Sequence, residues 1–173
     1  MTTLQITDFR SPLGDLRAIS YDGRLCSLMF TDRGQLAERT LRRRFGRVAL
    51  VAAPGSDLPG RIDAYFAGDF AALDGIAIDP GGTPFQQSVW AALRRIRPGE
   101  TTTYAQLARS IGAPTAVRAV GAANGANPIW LIIPCHRAIG SDGRLVGYAG
   151  GLERKRWLLT HESSSQPSLA LGV

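Results

Sequence analysis

Long apolar runs are missing from this sequence of 173 residues. None approaches the ~20 residues a helix needs to cross a bilayer, which excludes a membrane-spanning segment. The opening MTTLQITDFRSPLGD has no basic start followed by an apolar stretch, so a secretory leader is not expected. Cysteine is scarce: Cys26 and Cys135 lie in unlike surroundings and are too few for a disulfide framework. A reducing, cytoplasmic location is therefore expected. Four ligands at zinc-finger spacing are absent. Internal repeats are absent too, and histidine is limited to His136 and His161.

What is present describes an ordinary globular chain, 45% hydrophobic and 20% charged, long enough for one large or two small domains. The charge is unevenly placed. Residues 1–80 hold ten Arg and ten acidic residues, whereas residues 81–173 hold nine Arg, one Lys and four acidic residues, so the second half carries the whole +6. Such asymmetry fits a C-terminal part that meets a polyanion; an arginine-rich solvated surface is the plainer alternative.

The first eighty residues pattern as a small α/β unit. DLRAISYDGRLCSLMF contains two strand-like runs around the turn signal Asp22-Gly23. RGQLAERTLRRRFG carries Leu36, Thr40, Leu41 and Phe45 at helical spacing and ends at Gly46. LPGRIDAYFAGDF is a second amphipathic candidate. Cys26, inside a strand pattern, is expected to be a buried structural thiol.

DPGGTPFQQ is a break and a new start. Thr83 can cap, Pro84 suits the first helical position and Gln86 completes a capping box, so a helix is expected through Val89, Trp90 and Leu93 to about Ile96. Thr103 and Gln106 form another capping box, with Tyr104, Leu107 and Ile111 as the stripe and Gly112 as the stop. Pro114 opens TAVRAVGAAN, which ends at Gly125. Two short helices around a tight turn are a helix-turn-helix candidate. IWLIIP reads as a buried strand-like run, GLERKRWLLTHE as a last helix reaching about Glu162, and the tail 163–173 as disordered. The fold class expected is α+β: a small α/β part over residues 1–80 and a mainly helical part over 81–162.

Within TAVRAVGAAN, Val117 and Val120 should face the core. Arg118 then rises from a face whose neighbours are Thr115, Gly121 and Ala122. Such a helix offers few side chains to base edges, so any contact with DNA would rely on close approach and shape. A small-residue helix packed on another helix, with Arg118 solvated, fits the same pattern.

Cys135 follows Pro134, where strand pairing would stop, and is followed by His136 and Arg137. A thiol needs a base or a cation to become the nucleophilic thiolate. Direct Cys135–His136 contact is not required, since a water can bridge them. Glu162 shares a helix side with Leu158 and Leu159. Either it orients His136 in a nucleophile–base–carboxylate arrangement, or it ends a frayed helix in water.

TTYAQLARSIGAPTAVRAVGAANGANP, IIPCHRAIG and GYAGGLERKRWLLTHE together resemble the O6-alkylguanine-DNA alkyltransferase (methylated-DNA–protein-cysteine methyltransferase) family, densely over residues 81–162 and more weakly before them. The resemblance implies a ribonuclease-H-like N-terminal domain and a helix-turn-helix that enters the minor groove. It implies repair by base flipping and stoichiometric alkyl transfer from O6-alkylguanine, and O4-alkylthymine, to Cys135. By the same resemblance His136 would deprotonate Cys135 through a water, Glu162 would hold His136, Tyr104 would donate to the leaving guanine and Asn127 would brace the turn. Arg118 would replace the flipped nucleotide, with Thr103, Thr115, Ala119, Ala122, Arg137 and Ser141 against DNA. Tyr104, Gly140, Tyr148 and Ala149 would line the alkylguanine pocket. Ala149 stands where some relatives carry serine, and small Gly140 suggests tolerance of adducts bulkier than methyl. The implied partner is alkylated double-stranded DNA, with no membrane and no cofactor. The protein would be a monomer in solution, and cooperative assembly on DNA is left open. Some relatives bind zinc in the N-terminal part; with Cys26 its sole cysteine and no histidine there, no metal is expected. Two rivals remain: a DNA-binding regulator or lesion sensor without chemistry, and a cysteine hydrolase with repeated turnover.

Overall fold

The computed structural model describes residues 1–164. The Asp22-Gly23 signal makes the hairpin it promised, with φ of 49° and 71° at the two positions, joining β2 (Leu16–Tyr21) to β3 (Arg24–Phe30). Two strands not anticipated from sequence complete a four-stranded sheet. β1 (Thr2–Phe9) lies antiparallel to β2, and β4 (Val48–Ala52) runs parallel to β1, in the order β3-β2-β1-β4. α1 (Gly34–Phe45) makes the crossover between β3 and β4 and stops at Gly46, where φ is 68°. Its buried stripe is Ala37 and Leu41; Leu36, expected to face the core, is 38% exposed. One sheet face packs on α1 through Leu4, Ile19, Cys26 and Leu41, so Cys26 is buried among apolar neighbours, which push its thiol pKa up.

The opposite face, with the cross-strand pairs Leu16–Phe30 and Ala18–Leu28, opens into a core that continues through the rest of the chain. α2 (Leu58–Phe66) contributes Ile62 and Tyr65, and α3 (Pro84–Leu93) contributes Val89, Trp90 and Leu93. Both capping boxes form as their residues dictate: the Thr83 hydroxyl accepts from Gln86 N–H, and the Thr103 hydroxyl from Gln106 N–H. α3 stops at Leu93, one turn short of Ile96. β5 (Thr102–Thr103), α4 (Tyr104–Ser110) and α5 (Val117–Gly125) follow. α5 starts at Val117 rather than Pro114. The Trp90 indole N–H donates to Ala123 O at 2.8 Å and fixes α5 against α3.

IWLIIP is buried as expected but is not a strand. Leu131 takes φ 69°, the segment turns on itself, and only Ile129 bridges to Leu28 of β3. Leu28 N–H donates to Pro128 O, and Trp130 N–H to Leu28 O, each at 2.9 Å, so the N-terminal sheet holds the segment that leads to Cys135. β6 (Ala138–Ile139) then pairs parallel with β5, and α6 (Leu152–Ser164) closes the described chain. Helix therefore continues through 163–164, the first two residues of the expected tail; 165–173 lie outside the described residues. No helix among the described residues is long and apolar enough to cross a membrane.

Candidate active site

Asn127 organises the approach to the thiol. Its side-chain N–H donates to Ile133 O at 2.8 Å, and its Oδ1 accepts from Ile129 N–H at 2.9 Å. This staple closes the loop around the left-handed Leu131 and leaves Cys135 at the start of a single 3₁₀ turn, Cys135–Arg137. The thiol is 3% exposed. Burial pushes its pKa up to about 11, against the opposing pull of the Asn127 amide and the Lys155 charge.

On α6 the buried residues are Lys155, Leu158 and Glu162, spaced three and four apart, which places Glu162 inside rather than at a frayed end. Its Oε1 stands 2.8 Å from His136 Nε2. A carboxylate only accepts, so Nε2 carries the proton and Nδ1 offers a lone pair. Nδ1 has no hydrogen-bond partner among the described residues. Burial pushes the His136 pKa down, more than Glu162 raises it, which leaves a neutral imidazole at rest. Burial alone would push Glu162 up, but the hydrogen bonds and charges of His136 and Arg137 together hold it well below the usual carboxylate range.

Arg137 differs from its expected place against DNA. Its side chain is turned inward, donating through Nε to Glu162 Oε2 and through NH2 to Oε1, both at 2.8 Å, and through NH1 to Ile96 O at 2.5 Å. A buried carboxylate draws in the nearest guanidinium, whose planar fork matches it bidentately.

Tyr104 and Tyr148 close the other side of the thiol. Tyr104 is half-buried and donates to Val146 O at 3.0 Å. The Tyr148 ring packs on Trp130, with centroids 5.8 Å apart, and lies so close to Gly150 that a Cβ there would be 2.6 Å from Tyr148 Cε1. The Tyr148 hydroxyl is buried without a partner among the described residues. Burial raises the pKa of both phenols, and the proximity of Cys135 raises it further. Ala149 packs half-buried beside them. Gly140 lies in the following loop rather than presenting open space: a Cβ there would meet Asp142 Oδ1 at 2.9 Å and Arg144 O at 3.2 Å. Its smallness serves that turn.

Sequence reading missed Lys155. It is fully buried and its ammonium donates to Ala138 O at 2.5 Å, Val146 O at 3.0 Å and Gly147 O at 3.4 Å, gathering the loop that carries the Tyr104 acceptor. Burial lowers its pKa to about 8, while the nearby Cys135 opposes that shift. The available signal was its spacing, three and seven residues before Leu158 and Glu162. Lys155→Met keeps the aliphatic stem but leaves these carbonyls without their donor. We expect a loss of about 2–4 kcal/mol in chemical denaturation and a higher-pH onset of thiol ionisation, because the neighbouring cation is gone.

The remaining predicted residues lie on α5 and its approach, at the α4 cap and in the loop after β6. Thr115, Arg118, Ala119 and Ala122 are exposed along α5 and its approach, and a Cβ built on Gly121 or Gly125 would touch nothing within 4 Å. Thr103 is committed to its cap, and Ser141 is exposed in the loop after β6. Among the described residues no group of three or more His, Cys, Asp and Glu side chains converges as a metal site.

Residues 84–164 match the family model described as the DNA-binding domain of 6-O-methylguanine DNA methyltransferase. The methylated-DNA–protein-cysteine methyltransferase of Salmonella typhimurium is 46% identical over 147 residues, covering 85% of this chain and 82% of that protein. The chain belongs to this family. The solved structure of Mycobacterium tuberculosis OGT in complex with DNA superposes with a TM-score of 0.80 at 40% identity, over 96% of each chain. The O6-methylguanine-DNA methyltransferase of Pyrococcus kodakaraensis gives 0.73 at 28%, over 92% of this chain and 98% of that one. The mixed α/β architecture, with six α-helices among the described residues, is thus the architecture of these methyltransferases.

Proposed function

We propose that the protein repairs alkylated double-stranded DNA by moving the alkyl group from O6 of guanine, or O4 of thymine, onto Cys135. The carrying observation is the buried line from Cys135 to His136 and Glu162, facing two tyrosines. His136 Nδ1, free of any protein partner among the described residues, supports a water-relayed deprotonation of the thiol. The thiolate forms an S–C bond as the O6–C bond breaks, and Tyr104 donates to the guanine as it leaves. Asn127 holds the loop, and Tyr148 and Ala149 border the base. The sulfur ends as a thioether, whose C–S bond neither water nor a thiol cleaves under ordinary conditions, which supports one turnover per molecule.

The α4–α5 pair supports a helix-turn-helix that approaches the minor groove, its small outer face permitting close contact and Arg118 filling the place of the flipped nucleotide. The strand order β3-β2-β1-β4 with one parallel pair supports a ribonuclease-H-like unit over residues 1–80, with the alkyl-acceptor unit over 81–162. The protein would act as a cytoplasmic monomer in solution. Intact-protein mass after incubation with duplex DNA carrying O6-methylguanine tests the reading. One added methyl, on Cys135 and never exceeding one per chain, is expected; no gain with DNA binding retained would leave a lesion binder instead. Arg118→Ala should slow transfer from duplex DNA roughly 10–100-fold, because the flipping cost is no longer offset, while reaction with the free alkylguanine base changes little. Equal losses on both substrates would remove Arg118 from that role.

A further inference from the structure

Tyr65 lies 97 positions before the carboxylate it touches. Its hydroxyl donates to Glu162 Oε1 at 2.7 Å, in the buried interior. The same oxygen takes His136 Nε2 and Arg137 NH2, each at 2.8 Å. We propose that Tyr65 is a positioning residue of the active site: by sharing Glu162 Oε1 with His136, it sets how strongly the carboxylate holds the imidazole, and so how readily Cys135 ionises. The inference rests on the alkyl-transfer reading above and gives the N-terminal part a place in the chemistry.

Arg137 already fixes the Glu162 carboxylate through two parallel bonds. A further neutral donor is not needed to hold it, but it does draw charge from Oε1. Each donor on one acceptor weakens the others, so the tyrosine restrains the pull of Glu162 on the imidazolium. The hydroxyl is held in place. The ring is fully buried between Phe66 and Phe70, with centroids 5.3 and 5.4 Å away, and meets the His161 ring at 5.6 Å. His161 Nε2 is itself spent on Tyr65 O at 3.0 Å. Arg137, Tyr148 and Lys155 also act electrostatically on Glu162, His136 or Tyr65, and all come from the C-terminal part. Among the described residues, Tyr65 is the donor to this carboxylate that the first eighty residues supply. Burial and the adjacent Glu162 both push its phenol pKa far up, so it stays a donor throughout the working range.

The test uses iodomethane, which methylates a thiolate directly and needs no DNA. Methylation of Cys135 and of Cys26 is followed by peptide mass between pH 7 and 9 in wild type and Tyr65→Phe. The variant should methylate Cys135 about 3–10-fold faster, as expected for a thiol pKa lowered by up to about one unit, with Cys26 unchanged. A rate at Cys135 that is equal or slower overturns the proposal. Faster reaction at both cysteines also overturns it, because that marks a loosened fold. Incorporation of 3-fluorotyrosine at position 65, a stronger donor in an intact ring, should slow Cys135, and no slowing overturns the proposal independently. If wild type takes no methyl from O6-methylguanine DNA, the alkyl-transfer reading fails, while the iodomethane comparison still decides whether Tyr65 tunes the thiol.

Discussion

Cys135→Ser should take up no measurable methyl from O6-methylguanine duplex DNA while still binding it. The thiolate is the nucleophile, and even the thiol is held back here, pushed up to about 11 by burial. A serine hydroxyl is far less acidic. His136, whose own pKa is lowered by burial, is too weak a base to ionise it. Fold and binding should survive, because the change is one atom in a loop held by Asn127 and by the pairing of Leu28 with Pro128 and Trp130. Burying the more polar hydroxyl should cost about 1–2 kcal/mol. Intact mass, an electrophoretic mobility shift on lesion-containing duplex and a denaturation curve measure the three parts. Methyl uptake by the serine variant would mean that another residue accepts the group. Loss of binding would mean that the cysteine contributes to the DNA surface itself.

Glu162→Gln should be costly in both stability and rate. The substitution preserves shape but removes the charge that two bonds from Arg137, one from His136 and one from Tyr65 converge upon. Arg137 is then a buried cation without its anion, a loss of about 3–5 kcal/mol. The sign with pH follows from the depressed pKa of Glu162. An acid held below its free value of 4.5 contributes its full stability above that pH and loses it as pH falls toward the folded value. The gap between wild type and Glu162→Gln in urea denaturation should therefore be widest near neutrality and shrink below about pH 4.5. Transfer should slow roughly 10²–10⁴-fold, the range lost when an acid–base partner is disabled, and the rise of rate with pH should move to higher pH. A constant stability gap between pH 7 and 4 would show that Glu162 is not paired as described. An unmoved pH–rate profile would separate it from the thiol.

Cys135 and Glu162 are both visible as candidates in the sequence. Cys135 and His136 stand side by side in the chain, and Glu162 follows Leu158 at helical spacing, so the elements of a thiol–imidazole–carboxylate line can be read locally. The capping boxes at Thr83–Gln86 and Thr103–Gln106 and the Asp22-Gly23 hairpin form where the sequence places them, because each depends on bonds within four residues. IWLIIP looked like a strand because apolar content alone does not distinguish a paired strand from a buried turn. The Asn127 side chain, six residues before its Ile133 partner, decides in favour of the turn. Arg137 shows the same limit at the site: its neighbours in sequence suggest a surface cation, and only the arrival of Glu162 from α6 turns it inward.

The amino-acid sequence by itself determined the two capping boxes, the Asp22-Gly23 hairpin, the helices to within about a turn and the exposed face around Arg118, and its longer motifs carried the resemblance to the family. The local features rest on residue type and on spacings shorter than two helical turns. Tertiary structure alone decided that Lys155 is buried on three carbonyls, that Arg137 pairs with Glu162, and that Tyr65 reaches the same carboxylate from the N-terminal part. The reason is physical. Burying a charge or a hydroxyl is tolerated only where partners meet it, and here those partners come from segments far apart in the chain that the continuous core brings together.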